Sequence, residues 1–477
     1  MTNSSHENFV ISKKSSQSSH LVRQQRFLPE LDSCYLLIQQ DRYTVVDYSA
    51  FGVAIHTQKE FPFEELTDIP FYFNEVEAAR LDIHLVRQDV DENGGFIVAF
   101  EVSNDPIHFD KLEAIRAGKG IIDLQNQYVD EIQSVPSNVR AKVYEIKDWF
   151  EELTDNINSL EETFAYSNQH SIREFESTVT TMVAEHLANV LPDNLKSFST
   201  IIQDLPEPIR RKSISFLREK LSHLIHQAPF AERVYNKPLG YAGDFEMMNL
   251  IYRQETVGKS LFARCLQRYY IDEPAAQAVR NRADYLVSVI SPLLAERDKD
   301  PIKILSVACG PAMEWQKILI DPSEWKRSAK VDLLDQDEQA LHYAQVQLKH
   351  LSRSYKNQVA FNYIHNAIKN IIARGLAKER YDLIYSAGLF DYFTDAVAQK
   401  AATSLYDSLK PGGTLIIGNF NVNNPTTLVM EYALDWELIY RSKNDLQRLY
   451  NTIGDDISIE EEPLGINLFC VIKKSRN

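Results

Sequence analysis

The chain has 477 residues, several times the usual domain length, so about three domains are expected. Hydrophobic residues at 44% and charged residues at 25% describe a cored globular protein and exclude a disordered chain, a collagen and a disulfide scaffold. A net charge of −16 excludes a broad surface for nucleic acid polymers, which needs clustered Lys and Arg, and leaves a nucleotide-sized ligand open.

Residues 1–22 are polar and serine-rich and read as a disordered leader. No stretch approaches the ~20 apolar residues of a membrane span. Cys34, Cys265, Cys309 and Cys470 show no CxxC spacing, so no metal site is expected; a reducing, cytoplasmic setting fits. Glycine is scarce, with 16 residues, and none stands between Ile121 and Leu239. That gap predicts a helical block between two domains built with tight turns.

Residues 23–118 carry short runs of period two, CYLLI, YTVVDYS, GVAIHT, RLDIHLV and GGFIVAFEV, separated by turn-formers, which predicts a small antiparallel β-barrel or sandwich. Within it VVDYSAFGVAI contains DxSxxG, at Asp47, Ser49 and Gly52. Taken alone, this is a tight turn capped by Asp and Ser side chains. It also resembles the second motif of PilZ domains, which bind cyclic di-GMP and carry a preceding RxxxR. Here that stretch is RQQRFLPE, with Arg23 and Arg26 spaced RxxR and with Gln25 and Pro29 where the paired arginines would align. The resemblance implies a PilZ-like fold and makes cyclic di-GMP the ligand to test there.

Residues 119–235 change to a helical period. Val139, Val143, Ile146, Trp149, Leu153, Ile157, Leu160 and Phe164 form a stripe at spacings of three and four. Segments around Ile172 to Leu191 and Ile209 to Ala228 repeat the pattern, with stops expected at Pro192, Pro206, Pro208 and Pro229, which predicts a bundle of about four helices.

Residues 236–477 open with NKPLGYAGDFEMMNLIY, where Gly240 and Gly243 flank Tyr241 in what reads as a loop over a pocket, the start of a lid over 236–299. From Asp300 strands and helices alternate: IKILSVAC, KVDLLD, VAFNYIH, YDLIYSA and TLIIGNF. Such an order builds a parallel, doubly wound sheet with its ligand at the carboxyl ends of the strands. SVACGPAMEW after the first strand is a small-residue turn into a helix that lets backbone N–H groups approach a ligand. Asp335 follows Gly310 at the separation of a ribose-binding acid.

These motifs resemble the class I S-adenosylmethionine-dependent methyltransferases, an α/β Rossmann-like fold. ILSVACGPA stands at the family's glycine-rich loop, VDLLDQDEQALHYA at its second strand, YIHNAIKNI at its adenine edge and KPGGTLIIGNF before its fifth strand. The resemblance implies S-adenosyl-L-methionine as cofactor. It places Ser306, Ala308, Gly310 and Pro311 at the methionine part, Asp335 at the ribose, Gln336 on the adenosine side, Asn366 with Ala367 at the adenine, and Ser386 beside the cofactor. The chain departs from the family at Ser306, Ala308, Ala312 and Asn366, and no GxGxxG of a dehydrogenase is present.

SAGLFDYF, from Ser386 to Phe393, follows the fourth strand, where sulfonium and acceptor would meet, and aromatic walls there gain from cation–π attraction. EYALDWELIYRS, from Glu431 to Ser442, is expected on a helix forming the far wall. GYAGDFEMMNLIY, VRNRADYL, ACGPAMEW and YSAGLFDYF together resemble the bacterial 3-hydroxypalmitic acid methyl ester biosynthesis proteins, which make a quorum-sensing signal. That implies a fatty-acid carboxylate as acceptor. Phe390, Trp436 and Tyr440 would then wall the substrate site, Arg280 or Arg282 would steer the carboxylate, and Tyr241, Tyr385 and Tyr392 would orient it. A hydroxyl or amine acceptor would need a base, for which His365, Asp391 and Glu314 are the candidates. A signalling receptor with a methyltransferase-like output module is the alternative from another class.

Overall fold

The computed structural model describes residues 27–29, 32–164, 169–296, 300–320, 325–355, 358–454 and 456–476. Two compact units divide the chain, 1–133 and 134–477.

In the first unit β1 (Cys34–Ile38), β2 (Asp41–Ser49), β3 (Gly52–Thr57), β4 (Glu65–Phe73), β5 (Val76–Val90) and β6 (Phe96–Val102) close into a barrel in the order β1-β2-β3-β6-β5-β4. Closure leaves no strand edge open to another chain. The period-two pattern turns Leu36, Val53, Ile55, Phe71, Phe73, Leu81, Ile83 and Val98 inward, where water is excluded. Ser49 pairs with Gly52 across a two-residue turn of Ala50 and Phe51, so the DxSxxG residues lie on the β2–β3 hairpin. Arg23, Gln25 and Arg26 lie outside the described residues, and Pro29 within them. A helix, α1 (Phe109–Gln133), follows and runs through residue 118; Leu112 and Ile115 join the barrel core.

The second unit starts with α2 (Ser137–Phe164), α3 (Gln169–Ile202) and α4 (Glu207–Ile225). The stop expected at Pro192 is corrected here, whereas α3 does end before Pro206 and α4 before Pro229. Pro192 lies inside α3, Pro206 is the N-cap of α4 with Pro208 in its first turn, and Pro229 opens α5 (Pro229–Asn236). At a helix start the missing proline N–H has no helical partner to lose. Within α3 the loss is outweighed: a proline costs about 3 kcal/mol, whereas Leu187, Leu191, Leu195, Phe198 and Ile202 are buried on one face, each worth about 1.5–3 kcal/mol.

Three helices, α6 (Phe245–Arg253), α7 (Leu261–Asp272) and α8 (Pro274–Ala295), lead to a seven-stranded sheet. Its strands are β7 (Ile302–Val307), β8 (Ala329–Asp335), β9 (Val359–His365), β10 (Tyr381–Ser386), β11 (Leu409–Phe420), β12 (Asp456–Glu461) and β13 (Asn467–Lys473), in the order β12-β13-β11-β10-β7-β8-β9. The five strands from β9 to β11 run parallel. Strand β13 is antiparallel and sits between β11 and β12. Between the strands run α9 (Met313–Ile320), α10 (Glu338–Leu351), α11 (Ile368–Arg374) and α12 (Asp395–Asp407), with α13 (Lys443–Tyr450) before β12. One face of the sheet packs on α8, α9 and α10 through Ile304, Val331, Leu333 and Trp315; the other packs on α11, α12 and α13 through Leu305, Ile384, Leu415 and Leu446. This is a Rossmann-like, doubly wound fold. The strand order reverses between β7 and β10, and the crevice at that switch point faces the carboxyl ends of the strands.

The helix expected over Glu431 to Ser442 is also corrected. A single π turn covers Val429–Ala433, and the chain is irregular from Leu434 to Arg441. Asp435 takes the left-handed φ of 54°. Its carboxylate pairs with Arg218 of α4 and with Lys237 at 2.6 Å, and two cations on one side chain favour the bent path over a further helical turn.

Replacing Pro192 by Ala restores a backbone donor inside α3 and is expected to stabilise the second unit by about 1–2 kcal/mol. Thermal unfolding checks this; an unchanged or lower midpoint would contradict it.

Candidate functional site

The loop after β7 turns on three alternate positions with left-handed backbone, Ala308 (φ 53°), Gly310 (φ 51°) and Ala312 (φ 51°). Left-handed backbone costs an alanine about 1–2 kcal/mol, so the loop is held by its surroundings. Gly310 N donates to Asp335 Oδ2 at 2.8 Å, and Cys309 N donates to Leu334 O at 3.1 Å. Asp335 Oδ1 accepts from Asp337 N at 3.0 Å, and Asn366 N donates to the Asp335 carbonyl at 2.9 Å. One residue at the end of β8 thus ties the ends of β7 and β9 together, its carboxylate holding the loop after β7 and its carbonyl the residue after β9. Burial pushes its pKa up, against the N–H groups of Asp337 and Gly310, which pull it down. A Cβ added at Gly310 would meet no atom within 4 Å, so the backbone there faces open space.

That space is a chamber of about 440 Å³ in the crevice. Of the sequence-derived cofactor residues, Ser306, Ala308, Gly310, Pro311, Asp335, Gln336 and Asn366 line it. Asn366 Oδ1 also accepts from Asn370 Nδ2 at 2.7 Å. Ala367, the N-cap of α11, and the buried Ser386 stand just outside the lining. Ser386 Oγ is buried without a hydrogen-bond partner among the described residues.

Tyr241, Arg282, Tyr385, Tyr392 and Trp436 line the chamber too. Phe390 instead packs in the core against Phe393, with ring centroids 5.5 Å apart. Tyr440 lies outside, its hydroxyl 3.9 Å from Met430 Sδ. Arg280 is buried and donates to the Ile271 carbonyl at 2.7 Å and to Gln277 Oε1, which makes it a structural arginine. Of the three candidate bases, Glu314 and Asp391 line the chamber, whereas His365 bonds the Gln336 carbonyl on the surface. Sequence reading passed over Phe245, Met248, Tyr252, Val279 and Leu286. They are spaced by three and four on α6 and by seven on α8, a signal indistinguishable from ordinary core packing.

The chamber is also crowded and charged. Tyr392 OH accepts from Trp436 Nε1 at 3.0 Å. A Cβ on Gly243 would stand 2.8 Å from that hydroxyl and 3.2 Å from the indole, so the 237–244 turn crosses both rings in contact. Arg282 is buried, with Nη2 3.2 Å from Met248 Sδ. Its guanidinium lies where a Cβ at Gly388 would be, 2.6 Å away. Asp391 Oδ1 accepts from Phe420 N at 2.6 Å, and burial pushes its carboxyl up to about 6. Glu314 Oε1 accepts from Tyr385 OH at 2.6 Å, and that hydroxyl accepts from Trp315 Nε1 at 2.9 Å. Burial raises the Glu314 carboxyl as well, with Tyr385 and Arg282 opposing.

No protein-family model matches the chain, and no curated protein does. Solved structures that resemble it include a possible exported protein from Bordetella parapertussis, at 18% identity over 49% of this chain and 79% of that one, TM-score 0.39. Magnesium protoporphyrin IX methyltransferase from Synechocystis, with bound SAH, matches at 14% identity over 51% and 98%, TM-score 0.36. DszA carbon methyltransferase matches at 15% identity over 60% and 70%, TM-score 0.37.

Gly243→Ala is expected to force Tyr392 and Trp436 apart and weaken ligand binding in the chamber by about tenfold or more, with far-UV circular dichroism unchanged. Gly240, at φ 89° with nothing within 4 Å, should tolerate Ala at about 1–2 kcal/mol of stability with binding intact. Binding titrations on the two variants distinguish a crowded contact from a general need for loop flexibility.

Proposed function

We propose that the chain is an S-adenosylmethionine-dependent methyltransferase acting on the carboxylate of a small apolar acid, a fatty acid such as a 3-hydroxy fatty acid, to give a methyl ester signal. The observation that carries this reading is the buried Asp335 carboxylate gripping the left-handed 308–312 loop, with Gly310 facing an open chamber that a buried arginine also lines. The residues fit the cofactor: a glycine without Cβ obstruction, an acid for the ribose diol and the Asn366 edge for the adenine. When bound, it supplies an electrophilic methyl group on a sulfonium.

The chain's own part is positional. A carboxylate acceptor is ionised near neutral pH, so no base is needed. Arg282 would pair with it, while Tyr392 and Trp436 fix one wall and Phe245, Met248 and Leu286 exclude water. Holding the acceptor oxygen in line at near-attack distance contributes several kcal/mol. For the barrel, the PilZ-like identity rests on Asp47, Ser49 and Gly52 at the β2–β3 hairpin. Cyclic di-GMP binding there is a separate question, for a titration of the full chain.

A second reading, transfer to a hydroxyl or amine, is favoured by one observation: Asp391 lines the chamber with a carboxyl pushed up to about 6, suited to a general base. The pH profile separates the two. A carboxylate acceptor should give a kcat/KM flat from about pH 5.5 to 8.5, across the range where the Asp391 carboxyl titrates. With Asp391 as base, the carboxyl must be ionised to take a proton, so the rate should fall as pH drops through about 6, and Asp391→Asn should lose about 100-fold or more.

The cofactor assignment is tested by calorimetry with S-adenosylmethionine. Asp335→Ala should weaken binding by at least about tenfold, through lost ribose bonds and a slackened loop. Undiminished binding would remove the reading.

A further inference from the structure

We propose that Glu314 holds the ammonium of the cofactor's amino-acid end, an assignment that rests on the S-adenosylmethionine reading above. The residue belongs to the first turn of α9, two positions after Ala312, the last left-handed residue of the loop. The space that Gly310 faces is thus the chamber this carboxyl also lines. Glu314 is only 6% exposed and that exposure faces the chamber it lines.

Its orientation is set from below. Trp315 Nε1 donates to Tyr385 OH, and Tyr385 OH donates to Glu314 Oε1. The single hydroxyl proton of Tyr385 is thereby committed to Glu314. Tyr385 is thus a positioning residue for the carboxyl rather than an orienting donor for the acceptor.

A buried carboxylate is costly without a cation beside it. Glu314 has the Tyr385 hydroxyl as its partner, whereas Arg282 reaches Met248 Sδ and the Tyr252 hydroxyl. Arg282 shares the chamber with two carboxyls, Glu314 and Asp391, and its field acts on both, which leaves room for a ligand cation beside Glu314. The ammonium of an amino-acid end answers Glu314, and the acceptor carboxylate answers Arg282. Glu314 is then occupied by the cofactor and is removed from the candidate bases.

The test is calorimetric titration of the full chain with two probes. S-adenosylhomocysteine carries the ammonium; 5′-methylthioadenosine shares the nucleoside and the sulfur and lacks the amino-acid end. The native chain should bind the first at least about tenfold more tightly. Glu314→Gln keeps an acceptor for Tyr385 and should erase most of that preference, leaving 5′-methylthioadenosine within about twofold. Tyr385→Phe should erode the preference in the same direction by less. A preserved preference in Glu314→Gln overturns the assignment. So does an equal loss of both probes, which would make the carboxyl a support of the loop. A native chain that binds neither probe overturns the S-adenosylmethionine reading itself, an outcome distinct from either of these.

Discussion

The hydrogen bond from Gly310 N to the Asp335 carboxylate is the constraint on which the site depends. Two alanines flank that glycine in left-handed backbone, a conformation the isolated loop would not choose. It persists because the sheet brings β8 alongside β7 in parallel register, Val307 opposite Leu334, and so delivers the acid to the loop. The same carboxylate accepts from Asp337 N and its residue's carbonyl takes Asn366 N. Three strand ends become one rigid platform, with the loop backbone turned toward open space. The cost of burying the acid and straining the loop is met by β7 and β8, whose side chains are almost wholly buried on both faces.

The opposite wall depends on a different interaction. Asp435 receives Arg218 from α4 and Lys237 from the end of α5. Arg218 also donates to the carbonyls of Glu431 and Tyr432. Phe198 of α3 packs on the Tyr432 ring at 5.6 Å, and Ser199 meets its hydroxyl at 3.0 Å. The helices of residues 137–225 therefore buttress the irregular segment that carries Trp436. Trp436 in turn fixes Tyr392, and the 237–244 turn lies against both. A helical block that never reaches the chamber thus shapes the wall where an acceptor would sit.

Charge distribution inside the chamber narrows the chemistry. Arg282, Glu314 and Asp391 share one space with tyrosines and apolar side chains, and the field of the arginine lowers both acids against the burial that raises them. Groups of this kind are stable in a low-dielectric space only when each finds an opposite charge or a hydrogen-bond donor. Asp391 has the Phe420 amide and Glu314 has Tyr385. The arginine, set against Gly388 because no Cβ fits there, is the group best placed to receive an anion.

Much of the sheet was legible in the sequence, because period and composition are local properties. β-rich runs at regular spacing with helices between them require a doubly wound sheet, and the separation of Gly310 from Asp335 follows from one strand–helix–strand crossover. The barrel strands were legible for the same reason, since alternation reports a half-buried surface whatever closes it. Proline misled, because whether Pro192 ends α3 depends on the leucines packed around it and not on the proline. Glu431 to Ser442 carried a helical stripe that two distant cations, Arg218 and Lys237, bend into an irregular strap. Phe390 and Tyr440 had the chemistry of a wall and face elsewhere, whereas Met248 and Leu286 looked like core and line the chamber. Sequence determined which residue types stand at the ends of which strands. Which of them share a space, and which charges lie there without a direct pair, was decided by tertiary packing, because distances between side chains far apart in the chain are set only when the sheet and helices close on one another.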